Sequence, residues 1–136
     1  MTSGHNRWSI HSMNIVNRII QETHRGRPHL VMNSDDAAAR GIRDNEEVRV
    51  FNDMGTYCVP VKLSPSVMPG QVIIYNGWEP YQFRGWQDAA NVEPGMVKWL
   101  HLAGGYGHLR YWPLQWQPAP VDRAVRVDVR KMEADT

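Results

Sequence analysis

VRVFNDMGTYCVPVKL, residues 48–63, is the stretch from which the fold is read. Val48-Arg49-Val50-Phe51-Asn52 alternates as a half-buried strand does, because successive side chains of a strand point to opposite faces. Asp53-Met54-Gly55 supplies a turn. Thr56 to Leu63 resumes the alternation, with Val59, Val61 and Leu63 on one face and Cys58, Pro60 and Lys62 on the other. Two such runs around a glycine-bearing turn read as a hairpin. Pro60 has no N–H for a ladder, so the second strand is expected at a sheet edge or with a bulge.

Working outward, NSDDAAARGI at 33–42 reads as one short helix. Asn33 or Ser34 can cap it, Asp35 and Asp36 suit the positive end of its dipole, and Gly41 suits its C-terminal turn. His29 to Met32 is a short apolar strand candidate, and Thr23 to Pro28 a turn or loop. Ile10, Met13, Ile15, Val16, Ile19 and Ile20 permit a short amphipathic helix from about Asn14, behind a polar tail over residues 1–6. Downstream, residues 64–70 are a turn and Gln71 to Tyr75 a strand. Residues 76–95 form a long aromatic loop, longer than ordinary connections. Met96 to Leu102 reads as partly helical, Gly104-Gly105-Tyr106-Gly107 as a break, and Ala124 to Lys131 as a closing strand. The sum is a single mainly β domain over residues 1–136 with short helices. Short strands with both edges bare risk aggregation, so a small closed barrel is expected.

Composition narrows the partners. Lys+Arg number 15 against 14 Asp+Glu, a net charge of +1, so nothing calls for nucleic acid. Lysine occurs only at 62, 98 and 131, and arginine, which dominates the basic residues, suits bidentate anion recognition. One cysteine, Cys58, excludes an internal disulfide and a cysteine-built metal centre. No apolar run of about 20 residues suggests a membrane span, and no signal peptide is expected at the N-terminus.

Few residues announce chemistry by spacing. The six histidines show no paired ligand spacing, no GxSxG elbow is present, and Cys58 reads as a core or interface filler. Asp35, Asp36, Asp44, Glu46 and Glu47 read as helix caps and turn solvators, and surface solvation is the favoured reading of Glu79 and Asp88 as well. The GGYG run lacks the lysine and hydroxyl of a nucleotide-triphosphate loop; it is a tight turn or a place of close backbone approach to a ligand. Six tryptophans and five tyrosines exceed what so small a core holds, so the domain is expected to pack against something large.

Four stretches together resemble a known family: RWSIHS at 7–12, MNSDDAAARGIRDNEEVRVFNDMG at 32–55, SPSVMPGQVIIYNGWE at 64–79, and AGGYGHLRYW at 103–112 with VRVDVRKM at 125–132. They are similar to the C-terminal domain of the catalytic subunit in molybdenum oxidoreductases of the dimethyl sulfoxide reductase superfamily. The first and fourth point to the branch of nitrate, selenate and chlorate-type reductases and of dimethylsulfide and ethylbenzene dehydrogenases. The resemblance implies a double-psi β-barrel, aspartate decarboxylase-like, that binds and orients one side of a molybdenum bis(molybdopterin guanine dinucleotide) cofactor. It implies that Ser9, His11, Ser12 and Met13 line the pterin or its pyrophosphate. Arg7 then either pairs with phosphate or holds a neighbouring carboxylate. Asn76, Gly77 and Trp78 fall near the cofactor, with an Asn-Gly turn as the plainer reading of the first two. Gly105, Tyr106 and His108 would approach one nucleotide arm, with a core aromatic as the other reading of Tyr106.

The region FRGWQDAANVEPGMVKW and the stretch WQPAPVDRAVRV depart from the nitrate reductase pattern, the former towards the dehydrogenases. The resemblance places the molybdenum ligand and the iron–sulfur cysteines in other domains. The chain is therefore expected to be inactive alone and to partner the remaining domains of the subunit. An iron–sulfur electron-transfer subunit is a further implied partner, in periplasm or cytoplasm with the parent enzyme and without direct membrane insertion. A free-standing β-barrel interaction module without cofactor is the alternative. A self-processing decarboxylase is discounted because no Gly-Ser bond exists.

Overall fold

The computed structural model describes residues 1–93, 99–103, 108–112 and 125–132, those at 99–112 by backbone only. The hairpin forms as read: β3 (Glu47–Phe51) pairs antiparallel with β4 (Thr56–Leu63), Val48 opposite Val59 and Val50 opposite Tyr57. Asn52 ties the turn. Its side-chain oxygen accepts from Met54 and Gly55 N–H at 2.9 and 3.2 Å, and its amide nitrogen donates to the Val92 carbonyl at 2.7 Å. Local turn chemistry thus also fixes the distant aromatic loop against the hairpin.

Around it lie β1 (Thr2–Gly4), β2 (Leu30–Met32), β5 (Val72–Tyr75) and β8 (Asp128–Lys131), in the order β1-β5-β2-β4-β3-β8. A separate ribbon pairs β6 (Trp99–Ala103) with β7 (His108–Trp112). Strand β2 is parallel to β4 and antiparallel to β5, and all three of its residues are buried, which explains its unbroken apolar run. Two helices complete the frame, α1 (Arg18–Thr23) and α2 (Ser34–Ala39). Asn33 caps α2 by accepting from Asp35 N–H at 2.8 Å, and Gly41 takes the left-handed backbone at φ +66° that ends it. The core joins Leu30, Met32, Val48, Val50, Tyr57, Val59, Val61 and Ile74.

Several expectations are corrected. The double-psi β-barrel is not formed: among the described residues the main sheet is open, with β1 and β8 at its edges. The segments leading into those edge strands touch through Met1 and Val125, whose backbones exchange hydrogen bonds, but no strand pairing joins β1 to β8 among the described residues. The edges are blunted by shortness and, on β8, by Asp128, Arg130 and Lys131, so closure is not the only protection available. Residues 2–4 of the polar tail are a strand, because β5 supplies parallel partners from 71 residues away that no local pattern reveals. Strand β4 is interior; Pro60 is tolerated because the pairing with β2 begins one residue later, at Leu30–Val61. Residues 99–103 are strand where a partial helix was expected. The first helix begins at Arg18, capped by Asn17, later than the apolar pattern suggested. The long loop is built from three 3₁₀ turns, Pro80–Gln82, Arg84–Trp86 and Ala89–Val92.

Candidate functional site

Parallel pairing of β1 and β5 sets the site. Gly4 lies opposite Tyr75, and the Asn76 N–H donates to the Gly4 carbonyl at 2.9 Å. The loops that follow, at 5–17 and 76–78, therefore leave the same end of the sheet side by side. At Gly77 the two backbones approach closely. Its φ is +97°, and a Cβ there would collide with the His11 carbonyl. His11 and Asn14 are themselves left-handed, at φ 51° and 68°, a costly conformation for residues with a Cβ.

Two clefts open here, sharing Tyr75. One of about 220 Å³ is lined by His5, Asn6, Arg7 and Trp8, by His24 and His29 before β2, and by Lys62 of β4. Its named lining carries cations and imidazoles and no carboxylate. The other, about 280 Å³, is lined by residues including Asn76, Gly77, Trp78, Asp88 and Glu93. The His24 ring stands edge-on to Trp78 at 6.1 Å and bridges the two regions.

Burial pushes the His24 imidazole down from its ordinary pKa, and Lys62 adds to the effect. Burial does the same to His29, opposed by its hydrogen bond to the Arg27 carbonyl and assisted by Lys62, Arg25 and His24. The Arg27 carbonyl can only accept, so His29 Nδ1 carries the proton at 3.2 Å. In both rings burial disfavours the charged form, and a neighbouring anion would favour it.

Four buried side-chain polar atoms lack a partner among the described residues: Asn6 Nδ2, Ser9 Oγ, His24 Nε2 and Asn76 Oδ1. All sit on these loops or on the connection facing them. A buried unpaired polar atom costs about 1–3 kcal/mol, so the arrangement suits a ligand that offers both donors and acceptors.

Of the residues singled out by sequence, the structure brings together the 7–13 and 76–78 groups. Ser9 is buried and Asn76 half-buried; Arg7, His11, Ser12 and Met13 are exposed. Arg7 stacks on Trp8 at 5.1 Å and makes no ion pair among the described residues. His11 packs edge-on against His5 at 5.5 Å. His108 starts β7; Gly105 and Tyr106 lie outside the described residues. Asp88 caps a 3₁₀ turn through Ala90 N–H at 3.1 Å, as a solvating carboxylate does. Sequence reading missed Asn6, His24, His29 and Lys62. The histidines had been weighed only for metal-ligand spacing, and only the fold draws Lys62 to them. No His/Cys/Asp/Glu cluster fit for a metal occurs among the described residues. No helix among them is long and apolar enough to cross a membrane.

Residues 1–101 match the family model described as "Molydopterin dinucleotide binding domain". The chain is 34% identical over 127 residues to dimethylsulfide dehydrogenase subunit alpha of Rhodovulum sulfidophilum, covering 93% of this chain and 14% of that protein. It is 33% identical over 129 residues to chlorate reductase subunit alpha of Ideonella dechloratans, covering 95% and 14%. The chain thus spans a small part of these relatives' length. Among solved structures, acetylene hydratase from Pelobacter acetylenicus superposes with a TM-score of 0.52 at 16% identity, over 57% of this chain and 11% of that one, a likeness of fold.

Proposed function

The chain belongs to the molybdopterin dinucleotide-binding domain family, related to the dimethyl sulfoxide reductase superfamily, and on that premise we propose how it holds the cofactor. The domain forms one wall of a molybdopterin guanine dinucleotide site inside a longer oxidoreductase catalytic subunit. The observation that carries this reading is the set of four unpartnered buried polar atoms at one end of the sheet. Their chemistry fits the group, since a pterin or guanine edge offers donors and acceptors and a pyrophosphate offers only acceptors.

In this assignment Arg7, His24, His29 and Lys62 face the phosphates. Asn6 Nδ2 and the Ser9 hydroxyl donate to oxygen. Asn76 Oδ1 accepts from a ring N–H, and Gly77 and Trp78 shape the wall. His11, Ser12 and Met13 continue the same rim, with Gly105, Tyr106 and His108 assigned by resemblance. When bound, the cofactor's dithiolenes hold molybdenum, which exchanges two electrons with substrate. This chain's residues bind, orient and neutralise charge and do no bond-making, so the isolated chain is inactive. The remaining domains of the subunit supply the metal ligand and the opposite wall, and an iron–sulfur subunit the electron path.

The test is acid release of nucleotide from the full-length polypeptide purified from its source cells, read by mass spectrometry. About one guanine nucleotide or more per polypeptide is expected, and Asn76→Ala should lower retention roughly tenfold, the weight of one good buried hydrogen bond. A purified polypeptide free of guanine nucleotide overturns the reading.

A further inference from the structure

Strand β8 lies at one edge of the main sheet among the described residues. Its pairing with β3 is unbroken from Asp128 to Lys131, and Met132 N–H donates to the Glu47 carbonyl at 3.1 Å. Backbone groups alternate in direction along an antiparallel ladder. Asp128 and Arg130 therefore turn theirs towards β3, and Val129 and Lys131 turn theirs away. Outward groups of this kind are a ready template for another strand.

At Val129 two side chains occupy both outward groups. Asp128 Oδ1 accepts from the Val129 N–H at 2.9 Å, and Arg40 Nη1 donates to the Val129 carbonyl at 2.8 Å. Arg40 Nη1 also donates to Asp128 Oδ1 at 2.6 Å, which ties the two plugs together. Arg40 ends α2 and stands 88 positions before Asp128, so only the fold delivers it to this edge. The two side chains are 46 and 42% exposed, and a solvated pair of this kind opens at small cost. The other carboxylate oxygen, Asp128 Oδ2, lies 3.6 Å from Arg130 Nε.

We propose that the β8 edge is a docking strand for a second copy of this chain, and that the Arg40–Asp128 pair is the guard that keeps it shut. The charges of the strand select this occupant. A second copy laid antiparallel, with Val129 opposite the second copy's Val129, sets Asp128 against the second copy's Arg130 and Arg130 against the second copy's Asp128. Opposite charges directly across a ladder stabilise it, and two-fold symmetry makes both pairs at once. When Arg40 swings aside it releases the Val129 carbonyl, and Asp128 exchanges Arg40 for the second copy's Arg130.

Sedimentation velocity of the full-length polypeptide tests this. Two variants open the guard: Arg40→Ala, and Arg40→Met, which keeps the stem without the donors. Each should raise the self-association constant about tenfold over the unaltered polypeptide, since an outward carbonyl gains a backbone partner. Adding Arg130→Asp to either should return the constant to its unaltered value, because carboxylates then face each other across the ladder. Arg40 variants that associate no more strongly than the unaltered polypeptide overturn the proposal, and so does association that survives Arg130→Asp. Neither Arg40 nor Arg130 is among the residues named as lining the two clefts, so nucleotide content should not change, and loss of the cofactor reading and loss of this one are separable.

Discussion

The hairpin β3–β4 and the loop at 5–17 are built on opposite principles. In the hairpin, Val48, Val50, Tyr57, Val59 and Val61 are all 1% exposed or less, and Asn52 gives the Met54 and Gly55 N–H groups of the turn their partner. In the loop, apolar side chains face outward, two non-glycine residues sit at positive φ, and Asn6 and Ser9 keep buried atoms unpaired. The first region satisfies itself. The second holds unmet chemistry, which a protein retains where a ligand or partner completes it. Stability should therefore concentrate in one and ligand response in the other.

The strongest challenge to this contrast is Tyr57→Ala. Tyr57 is 1% exposed, stacks edge-on to Phe83 at 6.2 Å and donates to Met1 Sδ at 3.0 Å. Its truncation should cost about 3–5 kcal/mol in chemical denaturation, the range for large buried aromatics. A loss below about 1 kcal/mol would mean that the hairpin is not the stability centre.

Gly77→Ala comes next, read against Gly41→Ala. Both carry positive φ, but nothing lies within 4 Å of an added Cβ at Gly41, whereas at Gly77 it meets the His11 backbone. Gly41→Ala should cost roughly 1 kcal/mol, from backbone strain alone. Gly77→Ala should cost about 2–3 kcal/mol and also release cofactor from the full-length polypeptide, since the loops must part. Equal effects of the two on stability and retention would break the link between close approach and the site.

A smaller effect is set by pH. Burial holds the His29 pKa in the fold below the ordinary 6.5. The unfolded chain takes up the proton first, so this contribution to stability is full above pH 6.5 and is lost as pH falls from there through the folded pKa. Denaturation midpoints should decline between about pH 7 and pH 5, and His29→Gln should flatten that limb. A bound anion should restore the loss, because it favours the charged ring. An unchanged slope in the variant removes His29 from the account.

The smallest effect is expected at Arg18→Ala. Its pair with Glu22 is almost fully solvated, with side chains 90 and 62% exposed. The change in stability should stay within about 0.5 kcal/mol by thermal melting.

Alternation over residues 48–63 and the Asn33 and Gly41 signals at the ends of α2 were legible because each rests on contacts within a few residues. The grouping of His11 with Asn76 and Gly77 came from resemblance, and the backbone gives it a reason in the parallel β1–β5 pair. The basic side of the cleft was not legible. His24, His29 and Lys62 stand on separate elements, and no spacing between residues 24 and 62 signals that they share one pocket.

By itself, then, the sequence determined the local pieces and the family: a hairpin, a capped helix, a mainly β composition and a cofactor-domain signature. Period and capping are written in neighbours a few positions apart. Tertiary structure alone decided that the sheet is open, that residues 2–4 are its edge strand, and that two loops and three distant basic residues meet at one end. Those outcomes depend on pairings across about 70 residues, whose partners are chosen by the packing of the whole core, which no local pattern encodes.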